Sequence, residues 1–302
     1  PHVAQQRERQ EVGDAHHQMP AEPHSGQHVQ QGQACGTRSE SRKAHRTKPA
    51  HNTPDNHPGP MLSQPPGAAW GRLWSREFVM TGSFSGKTIA ITGAAGGVGQ
   101  WLCRFFGEEG ATIAALDRSD KVFELVDTLG KDGITVRPAK LELTDTAAVE
   151  AAFAAFGDVH VLINNAGISR FPTIAKTSPA DWDADMASNL NSAYTCVKAV
   201  LPQMVARRSG NIVNVGSVNG ASALGDPAYS AAKAGMIAMT KSIAQEYGRD
   251  GIRANIVLPG TIRTPIWEQR IAKDPDILKR LERWYPLGRI AEPYEVARVI
   301  AF

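Results

Sequence analysis

Beyond Lys87 the sequence holds a single histidine, His160; the other eight lie between His2 and His57. Three cysteines, Cys35, Cys103 and Cys196, form an odd set without paired spacing. That excludes a disulfide framework and suits a reducing compartment. No apolar run reaches the ~18 residues that a membrane-spanning helix needs, and the N-terminus lacks the charged-then-apolar order of a secretion signal. A cytoplasmic location with no membrane partner is therefore expected. The chain also lacks an excess of one charge: its formal net charge is +3 over 302 residues, about +2 before Met80 and about +1 after it. With no basic stripe to lie along phosphates, nucleic acid is not an expected partner. The histidine spacings HH and HxxxH in the first 57 residues make no fixed ligand set, so no metal is expected.

What is present falls into two regions. Residues 1–79 are rich in Gln, His, Pro, Ser and Gly and have neither helical nor strand periodicity, so they cannot bury enough apolar surface to offset their chain entropy. They are expected to form a disordered tail, and with Met80 just ahead of GSFSGKTIAITG, to lie outside the native protein. From residue 80 to 302 a single domain is expected. KTIAITG, ATIAALD, ITVRPAKLEL, VHVLINNAG, GNIVNVGS and IRANIVLPG cluster β-branched and apolar residues ahead of turn residues, as buried strands do. Helices are expected between them, near 98–109, 119–130, 146–156, 192–208 and 229–248. Alternating strands and helices imply an α/β, Rossmann-type doubly wound parallel sheet, whose ligands sit at the carboxyl ends of the strands. The sequence ends at Phe302 inside what reads as the start of a helix, so the domain is expected to be truncated and to lack its last strand.

Thr92-Gly93-Ala94-Ala95-Gly96-Gly97-Val98-Gly99 follows the first strand and opens the first helix. Glycines at such a place permit a tight turn and let a pyrophosphate reach backbone N–H groups at the positive helix end. The second strand ends at Asp117, where a carboxylate can accept hydrogen bonds from both adenosine ribose hydroxyls and would repel a 2′-phosphate. NAD is the expected cofactor. NADP is the alternative, because Arg118 next door can attract that phosphate. By itself Asp117 also fits a turn or helix-capping residue. Tyr229-Ser230-Ala231-Ala232-Lys233 sets a phenol and an ammonium four residues apart on one helix face. A phenol titrates near pH ~10, and a neighbouring ammonium is expected to favour the phenolate.

Taken together, these motifs resemble the short-chain dehydrogenase/reductase family in its short branch. Thr92, Gly93, Gly97 and Gly99 match TGxxxGxG, with Val98 between the last two. Asn164-Asn165-Ala166-Gly167 matches NNAG, placing Asn165, Ala166 and Gly167 along the adenosine side of the cofactor. Leu141-Glu142-Leu143-Thr144-Asp145 falls where members carry an Asp beside the adenine, so Glu142 and Leu143 are candidates there. The resemblance implies that Tyr229 is the catalytic acid/base and that Lys233 also bonds the nicotinamide ribose. It further implies that Ser217 orients the substrate oxygen and that Asn189 helps hold a water in the proton relay. Pro259-Gly260-Thr261-Ile262-Arg263-Thr264 resembles the turn that contacts the nicotinamide carboxamide, through Pro259, Gly260, Ile262 and Thr264. Residues 265–285 take the place of a mobile lid, with Trp267, Trp284 and Tyr285 as candidate lining. Ser169, Arg170, Val218, Asn219 and Leu224 are further pocket candidates, and Arg170 with Asn219 suggests a sugar, polyol or hydroxy acid.

The implied activity is NAD-dependent interconversion of a secondary alcohol and a ketone. The alternatives are an NADP-dependent 3-oxoacyl thioester reductase and, from another class, a non-catalytic nucleotide-binding sensor or scaffold. The glycine spacing sets the chain apart from sugar-nucleotide epimerases, which share YxxxK. A small-molecule substrate and a homo-oligomer, a dimer or homotetramer with helices near 192–208 and 229–248 at one interface, complete the expectation.

Overall fold

The computed structural model describes residues 84–302 apart from 171, 172 and 223; the expected tail, 1–79, lies outside the described residues. The six apolar runs form strands β1 (Thr88–Thr92), β2 (Thr112–Asp117), β3 (Val136–Lys140), β4 (Val161–Asn164), β5 (Gly210–Val215) and β6 (Ile252–Val257). All pair in parallel in the order β3-β2-β1-β4-β5-β6, the doubly wound arrangement in which strand order reverses between β1 and β4.

Between the strands run α1 (Gly97–Glu108), α2 (Lys121–Gly130), α3 (Thr146–Phe156), α4 (Pro179–Met186), α5 (Ser192–Arg207) and α6 (Pro227–Tyr247). After β6 come α7 (Glu268–Lys273), α8 (Ile277–Glu282) and α9 (Pro293–Ala301). Strand residues alternate between two buried layers, as a period of two requires. Ile89, Ile91, Ile113, Val213 and Val215 pack with Leu102, Phe106, Val296 and Ile300 on one face. Ala90, Leu116, Leu162 and Ile212 pack with Phe153, Val197, Val200, Met204 and Ile243 on the other. With both faces covered, chemistry is confined to the loops at the strand ends.

Two elements differ from expectation. The third strand stops at Lys140 rather than 143: Leu141 N–H donates to Asp117 O at 2.9 Å, and the chain then turns through Asp145 N–H to Glu142 O at 3.0 Å. Asp145 next caps α3 by accepting from Ala148 N–H, so the chain leaves the ladder for the helix. Helix α4 was not expected, although it carries a start signal: Ser178 and Asp181 form a reciprocal capping box around Pro179. It runs directly into a π-helical turn, Ala187–Asn191, for which the sequence has no periodic signature.

A buried polar chain fixes α6 to the sheet below the strand ends. Asn164 Nδ2 donates to Asn214 Oδ1 at 2.9 Å, Asn214 Nδ2 donates to Thr240 Oγ1 at 2.8 Å, and Thr240 Oγ1 donates to Met236 O at 2.7 Å. Replacing Asn214 by Ala strands a buried donor on one side and an acceptor on the other, so the Asn214→Ala variant should lose about 2–4 kcal/mol of stability. Urea unfolding checks this, and a midpoint equal to that of the native chain would refute it.

Candidate active site

The loops after β1, β2, β4, β5 and β6 converge at one edge of the sheet. At the reversal point Thr92 Oγ1 accepts from the N–H groups of both Asn165 and Ala166 at 3.0 Å, while Asn165 Nδ2 donates to Thr92 O at 2.9 Å and Gly93 O at 3.2 Å. The glycine turn is thereby fastened to the end of β4. Gly93 has φ +64°, and a Cβ on Gly99 would lie 2.0 Å from Gly93 O, so neither position accepts a side chain without rebuilding the turn. Gly97 lies under Thr264, with a Cβ there only 2.9 Å from Thr264 Cβ. These absent side chains let the turn close tightly over the N-terminus of α1, where backbone N–H groups suit a pyrophosphate.

Asp117 sits beside this turn. Its carboxylate accepts Ala95 N–H at 3.0 Å and Ser119 N–H at 2.9 Å, so it supports the glycine turn and turns the chain at the end of β2. Arg118 is exposed. Glu142 is also exposed, within the turn ahead of α3, and Leu143 packs on the buried layer beneath.

Tyr229 and Lys233 lie one turn apart on α6, with the Lys233 ammonium 5.6 Å from the Tyr229 ring centroid. Lys233 is buried and donates to Val215 O at 2.8 Å. Burial pulls its pKa down from the ordinary lysine value to about 8. Tyr229 departs from expectation: burial raises its phenol pKa, a hydrogen bond with Ser217 opposes the rise, and Asp226 adds to it. Desolvation is the largest of these and sets the direction. Ser217 Oγ accepts from Asn219 N–H at 3.2 Å, the turn-capping contact. Val218 N–H donates to Pro259 O at 3.1 Å, joining the loops after β5 and β6.

Asn189 is fully buried in the π turn. Its Nδ2 donates to Ile168 O and Asp185 O, both at 2.8 Å, and its Oδ1 accepts Ile168 N–H at 3.1 Å. A Cβ on Gly167 would lie 2.6 Å from Asn189 Oδ1 and 3.2 Å from Lys233 Nζ, so the glycine of NNAG is where these two side chains and the β4 loop meet. π-helical turns frequently mark functional positions. Asn191, the near neighbour in sequence, instead lends its backbone carbonyl to the Thr195 hydroxyl.

The pocket candidates are sorted by the structure. Arg170 pairs with the buried Asp185 at 2.7 Å, which commits the cation that had suggested an acidic substrate. Asn219 Nδ2 points to Gly225 O and Ser230 Oγ, each at 3.4 Å. Trp284 is 73% exposed and Leu224 63% exposed, and Trp267 Nε1 donates to Ile262 O at 3.0 Å. Asp185 was missed in the sequence, since only the tertiary fold brings it to Arg170. Among the described residues, no group of three or more His, Cys, Asp or Glu could hold a metal, and no helix is long and apolar enough to cross a membrane.

Fold and site together define an oxidoreductase built on a dinucleotide-binding sheet. A model of the short chain dehydrogenase family matches residues 87–275, and the chain belongs to that family. It is 42% identical over 220 residues to an uncharacterized oxidoreductase of Schizosaccharomyces pombe, covering 72% of this chain and 83% of that protein. A solved short-chain oxidoreductase from Burkholderia thailandensis is 49% identical, with a TM-score of 0.69 over 72% of this chain and 84% of that one. A 3-oxoacyl-[acyl-carrier protein] reductase from Brucella melitensis, solved with bound NAD, is 30% identical, with a TM-score of 0.68 over 73% of this chain and 85% of that one.

The low lysine pKa has a stability consequence. Below pH 8 both folded and unfolded chains hold the Lys233 proton and the burial cost is fully present. Between about 8 and the ordinary value of 10.5 only the unfolded chain holds it, so stability rises with pH there. Relative to a Lys233→Met variant, the native chain should gain on the order of 3 kcal/mol across that window. Urea titrations at stepped pH would read this; a difference that stays flat or falls with pH would contradict it.

Proposed function

We propose that this chain interconverts a secondary alcohol and a ketone with NAD as its cofactor. The observation that carries the reading is the convergence of Tyr229, Ser217, Lys233 and the Asn189 turn at the same sheet edge as the glycine turn. When bound, NAD supplies the hydride acceptor or donor. The turn at Pro259, Gly260, Ile262 and Thr264 orients its nicotinamide end, and Gly93, Gly97, Val98 and Gly99 receive its phosphates. Asn165, Ala166 and Gly167 border the adenosine side, with Leu143 and Glu142 at the adenine.

In the reduction direction Tyr229, protonated at neutral pH, gives its proton to the oxygen that forms at the former carbonyl. Ser217 holds that oxygen by a hydrogen bond. The phenolate left behind is favoured by the Ser217 hydroxyl and by the Lys233 ammonium. Lys233, with a pKa near 8, can return a proton at physiological pH. The Asn189 amide fixes Ile168 and Asp185, and its oxygen, with a second lone pair, helps hold a water in the relay. In the oxidation direction the same groups act in reverse.

Asp117 carries the NAD preference, since a 2′-phosphate beside its carboxylate would meet like charge. A second reading, an NADP-dependent reductase of 3-oxoacyl thioesters, draws on exposed Arg118 and on the activity in the Brucella relative's name. We also infer a cytoplasmic homo-oligomer acting on a small molecule.

Fluorescence titration of the full chain should show NADH binding at least about tenfold tighter than NADPH, about 1.4 kcal/mol. Asp117→Asn should erase most of that difference, and tighter NADPH binding would favour the thioester reductase. Tyr229→Phe should lower kcat about 10³-fold or more while leaving the NADH dissociation constant within about twofold. Unchanged turnover in that variant would refute Tyr229 as the acid/base, whereas a native chain that binds NADH without turning over any alcohol or ketone would support a non-catalytic nucleotide-binding role instead.

A further inference from the structure

Gly260 has an ordinary φ, so its turn does not require glycine for backbone reasons. A Cβ there would lie 2.7 Å from Tyr285 Cε1 and 2.9 Å from the Tyr285 hydroxyl. The Tyr285 ring therefore rests against the Gly260 backbone from 25 residues further along the chain. Its hydroxyl accepts Thr261 N–H at 2.6 Å and donates to Thr261 Oγ1 at 2.8 Å. The neighbouring backbone groups are committed as well. Thr261 O accepts Ala291 N–H at 3.0 Å and Arg263 N–H donates to Ala291 O at 2.8 Å, around the Ile262–Ala291 parallel bridge. Ile262 O accepts from Trp267 Nε1 at 3.0 Å. Arg263 reaches Glu292 at 3.0 Å and Glu282 at 3.5 Å.

We infer that Tyr285 is a positioning residue: its hydroxyl locks the Gly260–Thr261 peptide and couples the segment over the substrate, residues 265–285, to the turn that receives the nicotinamide. This role rests on the assignment of Pro259–Thr264 as that turn. The two Tyr285 bonds commit Thr261 N–H and the Thr261 hydroxyl, so the peptide is held in one orientation. The same phenol belongs to the covering segment, directly after α8. Movement of that segment thus releases the peptide, and an ordered peptide favours the closed segment. Each side carries the other's order, which makes substrate and cofactor binding interdependent through one side chain.

Three variants of the full chain test this: Tyr285→Phe, which keeps the ring on Gly260; Thr261→Val; and the pair combined. Binding of NADH to the native chain, read by nicotinamide fluorescence, comes first. Its absence would overturn the assignment of the turn and the inference with it. Given binding, Tyr285→Phe should weaken NADH about fivefold, in the range of lost hydrogen bonds. It should raise KM for the carbonyl substrate at least as much, with a smaller change in kcat. Thr261→Val, which keeps the bond from Thr261 N–H to the hydroxyl, should give a smaller loss in the same direction, the double variant should be no worse than Tyr285→Phe alone, and Thr261→Ser, which keeps the acceptor oxygen, should behave as the native chain. NADH affinity and KM unchanged in Tyr285→Phe would overturn the inference. So would losses that multiply in the double variant, or a lower melting temperature with unaltered NADH affinity, which would make Tyr285 a packing residue only.

Discussion

Thr92 stands where the sheet reverses its winding, and its hydroxyl holds the two loops that diverge there. The chain leaves β1 toward one face and β4 toward the other, so their ends would part into an open crevice. By accepting two backbone N–H groups of the β4 loop, Thr92 keeps the glycine turn and the Asn165–Gly167 loop at a fixed separation. Asn165 answers with two donations to the glycine turn. All later features of the site are referenced to this clasp, because both walls of the crevice are set by it.

Below the clasp, polar groups are buried where the catalytic elements must be held rather than where they must react. Asn164, Asn214 and Thr240 fasten α6 to β4 and β5, Asp185 and Asn189 hold the β4 loop from below, and Lys233 is anchored on Val215 O. Unpaired, such groups would each cost free energy in a low-dielectric interior; paired, they leave few alternative arrangements. Tyr229 is positioned by this layer, yet its own hydroxyl faces Ser217. The reacting side chains thus stand on a buried, hydrogen-bonded polar floor.

The far wall is made differently. After β6 the chain is held by the short bridge at Ile262–Ala291, by Arg263 between Glu282 and Glu292, and by Tyr285 on Thr261. Contacts here are few and partly exposed, the composition of a region that opens at lower free energy than the core. Such a wall suits entry and release, whereas the clasp and floor suit alignment.

The sequence by itself determined the six strands, five of the six helices between them and the end of the sheet at which ligands gather, because strand and helix periods are local and strong. It also offered the glycine turn, Asp117, Tyr229 and Lys233 as candidates, and Ser217 through the family resemblance, since their motifs fall at or near strand ends. Helix α4 was legible through Ser178, Pro179 and Asp181, though the π turn after it was not: one extra residue in a helical turn has no periodic trace. Only the tertiary structure decided that burial raises the Tyr229 phenol pKa and that Arg170 is spent on Asp185. It alone also seats Tyr285 on Gly260. Those outcomes depend on which groups meet across long stretches of chain and on how much water is left around them, and neither quantity is written in local pattern.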